Sequence, residues 1–293
     1  MTPYSLLPLL FCLLMTQAWS APVATRQTVL VESQRSARDA SHDFYVDLLQ
    51  LVLNNSREQW GEAKVEEVNG DFSQSRAFAA LNSGQLHVFW AGTSKQRQQR
   101  FRAIEVPLFA GLLGVRVPVI RRDRLAEFRG YQTLVDWQGL LACQGSQWPD
   151  SDILEANGFR VTRIAKFDLM YSMLKQGRCD YFPRGLNEVG AELAAVGQQD
   201  LMAYEDVLIT YPFPMYFFVA KDNEALYQRL SITLEAMAAS GELRHFLFSH
   251  PTTAGLFPLA RFDDSLRFRL TNALLPESTP LQRPELWLPL ARP

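Results

Sequence analysis

The chain has 293 residues, 47% of them hydrophobic and 20% charged, with a net charge of −2. This balance excludes a disordered polymer and a nucleic-acid binder of the basic-excess type. With no CxxC and no paired histidines at ligand spacing, a zinc site is excluded too, and no cofactor motif is present.

Residues 1–20 read as a secretory signal peptide. Residues 6–15 form a short uncharged apolar core, and Ala18 and Ser20 supply small residues before a cut at Ala21. The run is shorter than a membrane span needs. A cleaved leader predicts export to the periplasm. Two cysteines then remain, Cys143 and Cys179. In an oxidising compartment they can form a disulfide, or they can stay as two buried thiols; spacing alone does not choose.

Residues 28–32 (TVLVE) predict a strand, 44–53 an amphipathic helix and 64–68 a second strand. Residues 80–92 then read ALNSGQLHVFWAG, a helix end, a glycine, a short apolar strand and a turn. The same order recurs later. Residues 140–144 predict a strand, 151–156 a short helix stopped by Asn157-Gly158, and 160–165 a strand. Residues 173–185 read MLKQGRCDYFPRG, aligned with 80–92 at an offset of 93. Gly84 and Gly177 fall where a helix needs a left-handed cap. Strands alternating with helices predict two α/β lobes, each a mostly parallel sheet flanked by helices.

The segments LGVRVPVIR (113–121) and MYFFVAK (215–221) flank the second unit and read as two crossings between lobes. The expected division is 21–112 with 212–293 for lobe one and 113–211 for lobe two. A helix stopped by Gly241 follows the return. The proline-rich tail from residue 251 keeps Leu256, Phe257, Leu259, Phe262, Leu266 and Trp287, which predicts an ordered wrap on lobe one. The run Arg121-Arg122-Asp123-Arg124 reads as a solvated loop.

Ligands of open α/β sheets bind beyond the carboxyl ends of the strands. That rule brings together the loops after residues 32 and 144 and the turns at Ala91-Gly92-Thr93 and Pro183-Arg184-Gly185. Trp90 and Trp148 stand at the same edges, as an apolar wall or as core.

The order LNSGQLHVFWAGT, then Arg97, Phe101 and Pro107, resembles the bacterial extracellular solute-binding proteins of the amino-acid ABC-transporter type (family 3). So do Asp136-Trp-Gln-Gly139 before LLACQGS, and Gly177-Arg-Cys-Asp180. The resemblance covers about residues 28–250. It implies a periplasmic-binding-protein-like clamshell closing by hinge motion on a small solute, monomeric, serving an ABC permease or a membrane sensor. It implies that Thr93 and Arg97 hold a solute carboxylate, with Lys95, Arg100 and Arg102 as rivals, and that Ser146 adds a second-lobe hydroxyl. Gly92 lies in the turn beside them. Where relatives place an acid for the solute ammonium, this chain has Arg184-Gly185, with Glu188 the nearest carboxylate. Arg184 there predicts a solute more acidic than an ordinary amino acid. The resemblance also leaves room for an enzyme on the same fold, similar to cyclohexadienyl dehydratases, with Glu188 or Glu32 as general acid.

Overall fold

The computed structural model describes residues 27–34, 41–70, 72–197 and 199–292. The expected signal peptide lies outside the described residues. Twelve strands are assigned among them: β1 (Gln27–Glu32), β2 (Ala63–Val68), β3 (Phe89–Gly92), β4 (Arg102–Ile104), β5 (Val115–Arg121), β6 (Leu141–Gly145), β7 (Arg160–Ile164), β8 (Tyr181–Gly185), β9 (Leu201–Ala203), β10 (Val207–Thr210), β11 (Met215–Val219) and β12 (Leu266–Arg269).

In the first lobe β1 and β2 pair in parallel, while β11 lies between β3 and β4 and runs antiparallel to both. The amide groups of His87 and Val88 donate to Leu30 O, which ties the approach to β3 onto β1. Helix His42–Asn55 packs on this sheet because Phe44, Tyr45, Leu48, Leu49, Val52 and Leu53 share one buried face.

The second lobe is a seven-stranded sheet in the order β12-β10-β5-β8-β6-β7, with β9 also on β5. The parallel β7-β6-β8 part matches the expected βαβ pattern. The crossing strand β5 is antiparallel to β8, β9 and β10. Pro118 faces Pro183 within the β5–β8 ladder, and its carbonyl accepts the Tyr204 amide on the other side of β5, so the missing N–H falls where the partner changes from β10 to β9.

Gly84 (φ 73°) and Gly177 (φ 68°) both adopt the left-handed conformation at helix ends, as the repeat predicted. The turns expected after each copy are corrected. Gly92 and the triplet Pro183-Arg184-Gly185 are extended strand, because antiparallel pairing with β11 and β5 extends the ladders to those residues.

The expected placement of the tail is also corrected. β12 pairs in parallel with β10, so this part of the tail joins the second lobe. Its Val207, Leu208 and Ile209 partners are buried and offer an open strand edge. The chain then returns. Leu274 O accepts the Lys95 amide at 2.8 Å, Arg283 pairs with Glu235 at 2.8 Å, and Trp287 is fully buried beside Gly111. Cys143 and Cys179 form a disulfide with their Cα atoms 5.6 Å apart. No helix among the described residues is long and apolar enough to cross a membrane.

Candidate functional site between the lobes

On the first-lobe wall, β3 is buried along its length. Trp90 stacks on Tyr45 with ring centroids 4.8 Å apart and 15° between planes. A Cβ at Gly92 would run into the Phe213 ring, so glycine is required for close packing there.

Ser94 caps helix Lys95–Arg100 by accepting the Arg97 amide at 3.2 Å. That cap directs the Arg97 side chain over the end of β3. Its guanidinium donates to Gly92 O at 2.5 Å and Gln74 Oε1 at 2.5 Å on the first lobe. It also donates to Gln147 O, across the cleft, at 3.1 Å. Gln147 Oε1 in turn accepts the Ser75 amide at 3.2 Å. Burial lowers the Arg97 pKa to about 10, against the opposing pull of Asp150.

Thr93 faces elsewhere. It is fully buried, its amide bonds to Pro214 O at 3.1 Å, and its hydroxyl accepts from Gln98 Nε2 at 3.0 Å. Lys95 and Arg100 line the cleft mouth with Arg97, whereas Arg102 is engaged with Glu224 and Tyr227 away from it.

On the second-lobe wall, β6 ends at Gly145, whose carbonyl accepts the Ser151 hydroxyl at 2.7 Å. Ser146 is pinned by its amide to Ile164 O at 3.0 Å and lines the mouth. Trp148 lies flat over Gly145, where a Cβ would collide with the indole, and near-parallel to Phe182 at 6.3 Å.

Arg184 is 96% buried and does not stand free. Its guanidinium meets Glu192 through Nε–Oε2 at 2.7 Å and a second bond at 2.6 Å, and Glu188 Oε2 at 2.8 Å. The Tyr171 hydroxyl completes the Glu192 contacts at 2.5 Å. Glu188 also accepts the Gly185 amide at 3.2 Å. The expectation that Arg184 selects a second acidic group on the solute is therefore corrected: two carboxylates of this chain already neutralise it.

Sequence reasoning missed the third buried group. Arg116 on β5 pairs with Asp150, at the start of helix Pro149–Ala156. Tyr211 bonds both, donating to Asp150 Oδ1 at 2.6 Å and accepting from Arg116 Nε at 3.0 Å. Burial works against the Arg116 charge, yet Asp150, Tyr211 and Glu188 hold its pKa above the ordinary value. One signal was available: Arg116 is a lone charge inside the apolar run LLGVRVPVI.

Trp90, Gly92, Arg97, Trp148, Arg184 and Glu188 thus line one interlobe cavity of about 50 Å³, joined there by Tyr45, Gln74, Arg116, Asp150 and Phe213. Ser146 lies at the wider mouth, about 580 Å³, and Thr93 reaches neither. No group of three or more metal-ligating side chains occurs among the described residues.

No protein-family model matches the chain, and the curated proteins hold no significant match. Solved structures do match. An arginine-specific periplasmic binding protein of Salmonella typhimurium aligns with a TM-score of 0.56 at 17% identity, over 75% of this chain and 97% of its own. The GluR0 ligand-binding core of Nostoc punctiforme, solved with L-glutamate, aligns with a TM-score of 0.53 at 13% identity, over 77% and 98%. A histidine kinase sensor domain similar to periplasmic binding proteins aligns with a TM-score of 0.54 at 15% identity, over 76% and 94%. The chain has the two-lobed fold of periplasmic amino-acid-binding proteins.

Proposed function

We propose that this chain is a periplasmic receptor. It closes its lobes on a small polar solute, anionic or amino-acid-like, and presents the closed form to an ABC permease or a membrane sensor. The observation that carries this reading is Arg97, which spans the cleft with bonds to both lobes and lines the same cavity as Trp90 and Trp148. Its guanidinium lies 5.0 Å from the centre of the Phe78 ring, and a guanidinium is the side chain best matched to a carboxylate. Ser146 adds a hydroxyl at the mouth. The named neighbours support the reading, since they include an arginine-specific binding protein and a kinase sensor domain.

The test is a thermal-shift screen of carboxylates and amino acids, followed by calorimetry, because a ligand that binds only the native state raises its melting temperature. A reproducible shift with one solute class is expected. A flat response across the whole panel would overturn the reading. Conversion of a bound solute, followed by NMR, would transfer it to the dehydratase-like enzyme.

A further inference from the structure

Building on the reading of the cleft as the part of the chain that closes on a solute, we infer that Gln147 is the latch of that closure. It is a positioning residue, through which the second lobe holds Arg97 and keeps the first lobe shut before any solute contributes.

Gln147 stands at the apex of the turn Gly145-Ser146-Gln147-Trp148, between β6 and helix Pro149–Ala156. The turn is stiff. The Trp148 amide donates to Gly145 O at 3.1 Å, the Ser146 amide donates to Ile164 O at 3.0 Å, and Pro149 fixes the chain where the helix begins. The Trp148 indole fills the space a Cβ on Gly145 would need, so only glycine lets the turn close this tightly. Gln147 itself is exposed at the tip.

Both of its carbonyl groups serve the first lobe. The main-chain oxygen accepts Arg97 Nη2 at 3.1 Å, and the side-chain Oε1 accepts the Ser75 amide at 3.2 Å. Ser75 lies in the first turn of helix Gln74–Ser83, where amides have no acceptor within the helix. Ser73 caps that turn at the Arg76 amide, 3.4 Å away, and Gln147 supplies a second cap from across the cleft. The Arg97 nitrogen that meets Gln147 O also donates to Gln74 Oε1. One residue of the second lobe thus ties together two first-lobe helices, Gln74–Ser83 and Lys95–Arg100.

These bonds form only when the lobes meet. Opening returns the Ser75 amide and Arg97 to water, so the contacts act directly on the balance between open and closed forms. One such hydrogen bond shifts that balance roughly two- to tenfold. The two contacts can also be separated. The bond to Arg97 uses the main-chain oxygen that every residue carries, whereas the cap on Ser75 needs the glutamine side chain.

The test uses the purified full chain without solute, as wild type, Gln147→Ala and Gln147→Glu. Gln147 is exposed, so neither variant threatens folding. Amide exchange by NMR reads the Ser75 cap, and small-angle X-ray scattering reads the opening of the lobes. In Gln147→Ala, Ser75 exchange should speed up and the radius of gyration should rise as the open form gains roughly two- to tenfold in weight. Gln147→Glu keeps an acceptor of the same reach at a helix N-terminus, so it should restore both readings. An alanine variant as compact as the wild type would reduce Gln147 to a surface contact that does not hold the lobes. A glutamate variant that behaves like alanine would deny the capping role. A wild type that already scatters as an open form would overturn the latch outright. Because no solute enters, each of these failures leaves the solute-receptor reading to the thermal-shift screen, and a flat screen beside a working latch removes that reading alone.

Discussion

Arg184 and Glu192 stand eight residues apart and form a two-pronged buried ion pair, at 2.7 and 2.6 Å. Strand β8 presents the guanidinium and the second turn of helix Leu186–Val196 presents the carboxylate. The same contact that removes Arg184 from solute recognition makes it a support for the cleft floor. Glu192→Gln keeps the shape and removes the charge. Breaking a buried pair costs about 3–5 kcal/mol. The residual Glu188 contact puts the expected loss at about 3 kcal/mol, read as a lower urea midpoint. A loss under about 1 kcal/mol would show that the pair contributes little.

The disulfide predicts a redox-dependent stability. Cys143 and Cys179 are 36 residues apart. Closing a loop of that length stabilises the fold by about 4 kcal/mol in the chain-entropy model. Cys143→Ala/Cys179→Ala should therefore melt on the order of 10 °C lower than the oxidised chain. Reductant should lower the wild-type melting point and leave the double variant unmoved.

Arg97 and Thr93 should separate in binding assays. Arg97→Ala removes a charged donor, worth about 1.5–3 kcal/mol, so solute affinity should fall on the order of 10–100-fold. Thr93→Val removes only the bond from Gln98. It should lower stability by about 1 kcal/mol and leave affinity within about twofold. Equal losses from both would return Thr93 to the site.

A pH dependence comes from Glu127. Hydrogen bonds from Arg124 and Tyr131 lower its pKa to about 2. A carboxylate depressed in the folded state contributes stability above its ordinary pKa near 4.5 and loses it as pH falls from there to about 2. Glu127→Gln lacks that contribution. Melting curves should show the wild type ahead at pH 6, with the gap closing by pH 2. A gap that stays constant would deny the linkage.

Much of the fold could be read in the sequence because it follows local rules. Gly84 and Gly177 announced their helix ends through a backbone conformation that few other residues adopt. Periodicity located helix His42–Asn55 through Phe44, Tyr45, Leu48, Leu49 and Val52, all of them buried. The site was less legible because its contacts are long-range. Arg184 looked free because Glu192 enters only after β8 hands over to a helix. Asp150 gave no sign that Arg116, 34 residues earlier, would meet it. The strand ends at Gly92 and Gly185 were misread as turns, since glycine and proline mark turns locally and the pairing that overrides them comes from β11 and β5. β12 was missed for a similar reason: its four residues become a strand only beside β10.

The returning tail limits how far the clamshell can open. Leu270 is bonded to Thr210 on one lobe at 2.7 Å, and Leu274 to Lys95 on the other at 2.8 Å. The four chain steps from Leu270 to Leu274, fully stretched, reach about 14 Å. Along that edge the jaws cannot part further without breaking one of the two bonds. The tail is thus a tether of fixed length, and the gape of the cleft is set by the number of residues in it.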